Sequence, residues 1–152
     1  MKQDYVFVTR SAMETQEWAK NLAERLRPGD VIALEGDLGA GKTTFTQGLA
    51  RGLEIQGVVN SPTFTIIKEY AGRIPLYHMD VYRVEDEWEE LGLDEYFYGD
   101  GVTVVEWASM IRPSLPNCLL DIYIKRLEQD NREIRLTPRG ERYISLCEEL
   151  LG

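Results

Sequence analysis

The clearest hydrophobic pattern lies in the first third of the chain. Val31 to Leu34 form a short apolar run, which is typical of a strand buried inside a parallel sheet. Farther on, Phe45, Leu49 and Leu53 recur with helical spacing. A glycine-rich stretch separates the two segments. The pattern therefore predicts a strand, a glycine loop and a helix in direct succession.

The segment before this pattern predicts a strand followed by an amphipathic helix. Asp4 to Thr9 is rich in residues that favour a strand. Ser11 to Glu14 has the form of a capping box, in which the serine hydroxyl accepts a hydrogen bond from the amide three residues later. The apolar face of the helix is predicted to carry Ala19, Leu22, Ala23 and Leu26.

Seven further elements are predicted after the glycine loop and its helix. The strands are residues 63–70, 74–82, 102–105, 119–125 and 132–137, and the helices are 85–93 and a final one after Gly140. We expect the final helix to bury Tyr143, Ile144, Cys147 and Leu151. Parallel, valine-rich strands beside the glycine loop and hairpin-like pairs elsewhere indicate the fold class: an α/β three-layer sandwich with a mixed parallel and antiparallel sheet. The length suits a single domain, 1–152.

The glycine loop has the pattern of a phosphate-binding P-loop. Residues 36–43 read GDLGAGKT, which satisfies G-x-x-x-x-G-K-[ST]. Glycine allows the backbone to turn its N–H groups toward a polyphosphate and to approach it closely. Lys42 supplies a cation for the outer phosphates, and the Thr43 hydroxyl suits the oxygen shell of Mg²⁺. An accidental match is disfavoured by the correct flanking strand and helix. The predicted nucleotide-binding residues are Asp37, Leu38, Gly39, Ala40, Gly41, Lys42, Thr43 and Thr44.

Two acidic residues are candidates for the catalytic and metal-binding carboxylates. Ligands gather at the carboxyl ends of parallel strands, and Glu106 ends one predicted strand while Asp80 lies near the end of another. The alternatives are a solvated acid for Glu106 and a surface ion pair with Arg83 for Asp80. Strand alternation places His78 on the same side as Asp80. His78 is therefore either a structural histidine or a second candidate for orienting the attacking water.

The sequence allows two interpretations for each of two other residues, Thr63 and Trp107. Thr63 is either a switch residue that senses the γ-phosphate or a turn before a strand. Trp107 is either buried packing or an exposed contact. The sequence lacks the Asn-Lys-x-Asp segment with which guanine-specific P-loop proteins read the purine, so adenine, and hence ATP, is favoured.

The charge distribution limits the partners. The formal net charge is −9, and eight acids with no lysine or arginine lie between residues 84 and 101. An acidic chain with no basic stripe is a poor candidate for binding nucleic acid unaided. No apolar run approaches the length of a membrane span. Cys118 and Cys147 are expected to be reduced, buried or half-buried thiols of a cytoplasmic protein.

Four segments together resemble one family, the TsaE (YjeE) ATPases of bacterial tRNA threonylcarbamoyladenosine biosynthesis. They are GDLGAGKTTF at 36–45, SPTF at 61–64, HMDVYR at 78–83 and VEWA at 105–108. The resemblance covers most of the chain, although the C-terminal third matches only in outline.

The resemblance implies more than the residues show by themselves. Members of the family hydrolyse ATP while working with the TsaD and TsaB proteins, which transfer a threonylcarbamoyl group to the adenosine beside the anticodon of certain tRNAs. TsaE does not perform this transfer, and its hydrolysis is thought to reset the complex. By position, Thr43 and Glu106 would be Mg²⁺ ligands, and Asp80 would assist the metal or the water. Ser11 would lie near the nucleotide, and Arg132 would match a nucleotide contact.

Two other functions remain open from the sequence. One is a small-molecule P-loop kinase, although no arginine-rich lid segment is found. The other is a module that binds ATP without hydrolysing it. The expected partners are TsaD and TsaB, with tRNA contacted indirectly through that complex.

Overall fold

The structure is a computed structural model that describes residues 4–36, 41–55, 67–80 and 93–151. The strands are β1 (Tyr5–Thr9), β2 (Val31–Gly36), β3 (Ile67–Tyr70), β4 (Leu76–Asp80), β5 (Val102–Glu106), β6 (Leu119–Arg126) and β7 (Arg132–Arg139). The helices are α1 (Ala12–Ala23), α2 (Lys42–Gly52), α3 (Leu93–Phe97) and α4 (Glu141–Leu151), and a 3-10 helix (Ala108–Ser114) follows β5.

The described strands form one seven-stranded sheet in the order β1-β7-β6-β2-β5-β4-β3. Strands β6, β2, β5 and β4 run parallel to one another in the centre. The outer strands β1, β7 and β3 are antiparallel to their neighbours. The predicted α/β sandwich with a mixed sheet is confirmed. This order places the P-loop strand β2 between two parallel neighbours, β6 and β5. The carboxyl ends of the three strands therefore lie side by side at one edge of the sheet.

The two faces of the sheet carry separate apolar clusters. Successive side chains on a strand point to opposite faces, so Leu34 packs with α1 and α2 while Ala33 packs on the other side. Helices α1, α2 and α4 cover the first face. The second face is covered by α3 and the 3-10 helix through Phe97 and Ala108. Three layers result, with the sheet in the middle.

Helix α1 begins as the capping pattern predicts. The Glu14 N–H donates to Ser11 Oγ at 3.0 Å. The hydroxyls of Thr9 and Thr15 lie 2.6 Å apart, which ties the end of β1 to the first turns of the helix. The predicted buried face of this helix is confirmed.

The start of the P-loop strand is anchored by α4. The Val31 N–H donates to the Tyr143 hydroxyl at 2.8 Å, and burial raises the pKa of Tyr143 to about 12. Arg142 donates to both carboxylate oxygens of Asp30, and this hydrogen bonding raises the pKa of Arg142. A phenol that stays protonated and a paired guanidinium therefore hold the amino end of β2.

Two glycines let α2 lie unusually close to α1. A Cβ added to Gly48 would be 2.5 Å from the Gln16 carbonyl oxygen and 2.8 Å from Ala19 Cβ. A Cβ added to Gly52 would be 2.5 Å from Ala23 Cβ. The helix that begins at the P-loop is thus seated against α1 with backbone-to-backbone contact.

We expect Gly48→Ala to destabilise the protein although alanine is the better helix former. Alanine gains about 1 kcal/mol of helix propensity over glycine, but the methyl group meets the α1 backbone, which cannot move aside as a flexible side chain would. Overpacking of this kind costs about 1–3 kcal/mol. Denaturant unfolding measures the change. The control is Arg51→Ala on the exposed side of α2, and equal stability of both variants would contradict the close approach.

Some sequence predictions were wrong in detail. In α4 the buried residues are Tyr143, Leu146 and Cys147, whereas Ile144 is half-buried and Leu151 is exposed. In the last turn, Leu150 packs against the core instead of Leu151. Cys118 is exposed rather than buried or half-buried. Cys147 is buried, and burial raises its pKa to about 11.

Other boundaries differ modestly from the predictions. Strand β7 extends to Arg139 through Pro138, which lies beyond the last residue paired with β1, so its missing N–H removes no bond to that strand. The short helix α3 and the 3-10 helix were not predicted. The predicted helix 85–93, except for its last residue, and residues 63–66 of the predicted strand 63–70 lie outside the described residues.

Candidate active site

The P-loop strand and helix are joined in the order the sequence predicts. Strand β2 ends at Gly36 and α2 begins at Lys42. Gly41 caps the helix with φ of 108°, a left-handed conformation that favours glycine. Asp37, Leu38, Gly39 and Ala40 lie outside the described residues. The N-terminus of α2, with the N–H groups of its first turn, therefore follows directly on the glycine loop, as an anion site requires.

Lys42 is held at the carboxyl end of β2. Its ammonium donates to the Gly36 carbonyl oxygen at 2.8 Å and lies 3.5 Å from the centre of the Trp107 ring. Only 6% of the residue is exposed. A lysine over the face of a tryptophan is attracted electrostatically by the ring. The charge is thus partly desolvated and positioned beside the P-loop.

Trp107 reaches Lys42 because the chain turns sharply after β5. Its backbone has φ of 61° and ψ of 37°, which is uncommon for a residue other than glycine. Its N–H donates to the Leu34 carbonyl oxygen of β2 at 3.2 Å. To the two interpretations of Trp107 that the sequence leaves open, the structure adds a third, a contact with the P-loop lysine. No local pattern could have predicted it, since it depends on one backbone conformation.

Glu106 ends β5 directly beside the P-loop strand. It is paired in register with Leu34 of β2 and with Asp80 of β4. Only 3% of Glu106 is exposed, so the alternative of a solvated acid is wrong. Asp80, half-buried, ends β4. The two candidate carboxylates and the carboxyl end of the P-loop strand thus meet at one edge of the sheet, as the strand-end argument predicts.

His78, two residues before the end of β4, lies next to Glu106. The side chain is fully buried, and its Nε2 forms a short hydrogen bond with Glu106 Oε2. Leu76 packs in the cluster under α2 and Met79 in the cluster on the opposite face, so the predicted alternation of this strand is confirmed. The histidine is coupled to the candidate metal ligand rather than exposed to solvent.

The donor set at this edge suits Mg²⁺. Thr43 lies in the first turn of α2, and Glu106 lies one strand away from the end of β2. A hydroxyl and a carboxylate are the hard oxygen donors that Mg²⁺ prefers, with water and substrate phosphates filling the remaining positions. Within the described ranges no cluster of three or more histidines, cysteines or acids could hold a metal. A site completed by phosphates needs no such cluster.

A small pocket that is open to solvent lies beside the start of α2. A Cβ on Gly41 would be 3.4 Å from Arg132 Nε, so the β6–β7 hairpin approaches the P-loop closely. Ser11, the N-cap residue of α1, directly precedes Ala12, which lines the pocket. The pocket is lined by Ala12, Thr15, Gly41, Thr44, Asp130 and Arg132.

This pocket brings together residues predicted from distant parts of the sequence. Gly41, Thr44 and Arg132 were among the candidates. Ala12, Thr15 and Asp130 were missed because none of them belongs to a nucleotide-binding pattern. Arg132 Nη1 donates to the Asn131 carbonyl oxygen at 2.9 Å. Thr63 lies outside the described residues.

The chain is similar to known proteins of one family. The family model "Threonylcarbamoyl adenosine biosynthesis protein TsaE" matches residues 9–134. A Bacillus subtilis protein called tRNA threonylcarbamoyladenosine biosynthesis protein TsaE is 64% identical over 138 residues, 90% of this chain and 87% of its own length. A Treponema pallidum protein of the same name is 44% identical over 84% of this chain and 96% of its own length.

A solved structure is also similar. The crystal structure of Bacillus subtilis YdiB superposes with a TM-score of 0.86 and 54% identity, covering 99% of this chain and 95% of that one. No helix among the described residues is long and apolar enough to cross a bilayer.

Proposed function

Because the chain belongs to the TsaE family and so has a role in tRNA threonylcarbamoyladenosine biosynthesis, we propose that it binds and hydrolyses magnesium–ATP for that process. One observation carries the proposal. Lys42 at the end of the P-loop strand and Glu106 at the end of its parallel neighbour lie at the same edge of the sheet. A phosphate-binding cation and a metal-binding carboxylate are the two groups that phosphoryl transfer requires there.

The triphosphate would bind at the N-terminus of α2. Backbone N–H groups and the helix dipole favour the negative charge, and Lys42 adds a full positive charge. Its present contacts with the Gly36 carbonyl and the Trp107 ring hold the ammonium near this end of the helix. Electrostatic stabilisation of the transferred phosphoryl group is strongest where water is excluded, which favours the partly desolvated Lys42.

Thr43 and Glu106 are the residues that would hold Mg²⁺. When bound, the ion neutralises the charge that develops on the phosphates. Asp80, paired in register with Glu106, is the residue we assign to orienting the attacking water. That water forms a new bond to the γ-phosphorus as the bond to ADP breaks, and its proton passes to solvent or to a nearby base.

The nucleoside end of ATP would occupy the pocket beside Gly41. Arg132 lies against the loop, and Ala12 and Thr15 come from the helix that Ser11 caps. This arrangement supports both nucleotide contacts that the family resemblance implies, Ser11 and Arg132. A guanidinium can stack on the face of a base.

Phosphate release tests the proposal against the two other functions. Free phosphate from ATP, dependent on Mg²⁺, supports hydrolysis. Transfer of the phosphoryl group to an added nucleoside or metabolite would instead indicate a kinase. Binding without any release, both alone and with TsaD and TsaB present, would indicate a binding module and overturn the proposal.

The partners we propose are TsaD and TsaB, with tRNA reached through them. The support is the acidic character of the chain, with a net charge of −9, together with the exposed acids Asp94 and Glu95 of α3 and the exposed Tyr98 after it. Exposed aromatic residues among acids suit a basic protein surface.

We expect the double change Asp94→Lys and Glu95→Lys to weaken association with TsaD–TsaB. Reversing charges at the edge of an interface slows electrostatically steered association, here by about tenfold at low salt. The matched control reverses Glu24, an exposed acid just after α1, and Glu148, an exposed acid of α4. Surface plasmon resonance at two salt concentrations measures the association of both variants with TsaD–TsaB. Equal binding of the two variants would exclude α3 from the interface.

A further inference from the structure

The buried histidine of β4 is the feature that the proposed function leaves without a role. His78 is fully buried and is the only histidine in the chain. It is paired in register with Val104, two residues before Glu106 on the neighbouring strand. Because side chains two residues apart on a strand share a face, its ring and the Glu106 carboxylate lie on the same side of the sheet, the side covered by α2.

The contact between the two side chains fixes which ring nitrogen carries a proton. Glu106 Oε2 is a carboxylate oxygen and accepts, so His78 Nε2 must donate. Nδ1 has no hydrogen-bond partner among the described residues. The geometry of the contact therefore places a proton on Nε2, directed at the Glu106 carboxylate.

This hydrogen bond has a consequence for the carboxylate. Glu106 is nearly buried, and a buried charge needs hydrogen bonds, a counter-charge or a metal. Holding Oε2 by a donor fixed in the core prevents the carboxylate from rotating and leaves Oε1 for another ligand. Donors of this kind orient metal ligands in many proteins, and removing them lowers metal affinity or activity about 10–100-fold.

We propose that His78 is a positioning residue, which holds Glu106 through Nε2–H so that the other carboxylate oxygen faces the Mg²⁺ of bound magnesium–ATP. This inference rests on the proposed function. Since His78 is fully buried behind Glu106, it does not contact the attacking water, and that role falls to Asp80.

The first experiment needs neither a variant nor a ligand. In ¹⁵N-labelled protein without a histidine tag, the single imidazole gives one set of ring nitrogen signals. We expect Nε2 to be protonated and its proton to exchange slowly with solvent. A protonated Nδ1 with a bare Nε2, or rapid exchange, would overturn the proposal.

The second experiment separates positioning from packing. Glutamine places its amide nitrogen near the position of Nε2, whereas leucine fills the space without a donor. We expect His78→Leu to reduce the gain in ATP affinity on adding Mg²⁺ by about 10–100-fold. ATP affinity in the absence of Mg²⁺ should be unchanged. In His78→Gln, the gain in ATP affinity on adding Mg²⁺ should stay close to that of the unaltered protein. The control is Met79→Leu, a buried change on the same strand that faces the opposite cluster.

The outcomes distinguish this proposal from the proposed function. If the unaltered protein gains no ATP affinity from Mg²⁺, the proposed function fails while the nitrogen signals still report on the pair. If Mg²⁺ strengthens ATP binding equally in His78→Leu and Met79→Leu, the histidine serves packing alone and the inference is wrong. Should His78→Leu not fold, His78→Asn replaces it, because the asparagine amide is too short to reach Oε2.

Discussion

Lys42→Ala should lower ATP affinity about 10–100-fold, the effect of losing a charge-assisted hydrogen bond to a phosphate. The hydrolysis rate should fall further, by about 10²–10³-fold, because the ammonium stabilises charge that develops during the reaction. The structure gives the reason, since Lys42 lies at the start of α2, almost entirely buried, with its ammonium at the carboxyl end of β2.

The control for this variant is Lys125→Ala, which removes an exposed lysine from β6. Loss of the ring contact with Trp107 will also destabilise Lys42→Ala, by up to about 2 kcal/mol. Circular dichroism and thermal unfolding must therefore show that the variant is folded at the assay temperature. Unchanged ATP affinity and turnover in folded Lys42→Ala would contradict the site described here.

Glu106→Gln should lower turnover without lowering the free energy of unfolding. The amide keeps the shape of the side chain, and its oxygen can still accept the hydrogen bond from His78. Without the negative charge, Mg²⁺ loses its carboxylate ligand, so turnover should fall by about 10²-fold or more. The free energy of unfolding without Mg²⁺ should stay equal or rise, since removing a nearly buried charge relieves its desolvation cost.

Urea unfolding in the absence of Mg²⁺ and phosphate release in its presence measure the two effects. The matched control is Glu128→Gln, an exposed acid in the β6–β7 hairpin. A variant with normal turnover would remove Glu106 from the proposed metal site. A variant that loses both activity and several kcal/mol of stability would show that Glu106 serves the fold instead.

Local sequence patterns predicted the P-loop unit well. Its strand, glycine and helix are adjacent in the chain, so periodicity and one motif suffice to place Lys42 at the end of β2. The capping of α1 by Ser11 was predictable for the same reason. Strand alternation also placed His78 and Asp80 correctly on one face.

The contacts between distant segments could not be predicted in this way. His78 and Glu106 are 28 residues apart and meet only because β4 and β5 pair in one particular register. Trp107 reaches Lys42 through a left-handed backbone conformation that its sequence neighbours do not encode. Arg132 approaches Gly41 because a hairpin folds back over α2, which only the whole sheet order determines.

Errors at the ends of elements have a different origin. Leu151 fits the helical period of α4 but is exposed in its last turn, where the preceding Leu150 packs against the core instead. Cys118 is in an apolar segment but precedes β6, and its side chain is exposed. Hydrophobic periodicity predicts which face of an element is apolar, not where the opposing layer ends.

Calorimetric titration of ATP into the purified chain, with and without Mg²⁺, tests the central claim most directly. We expect one ATP site per chain, with an affinity that rises when Mg²⁺ is present and falls when Lys42 is replaced by alanine. Absence of ATP binding by the folded protein under both conditions would contradict it.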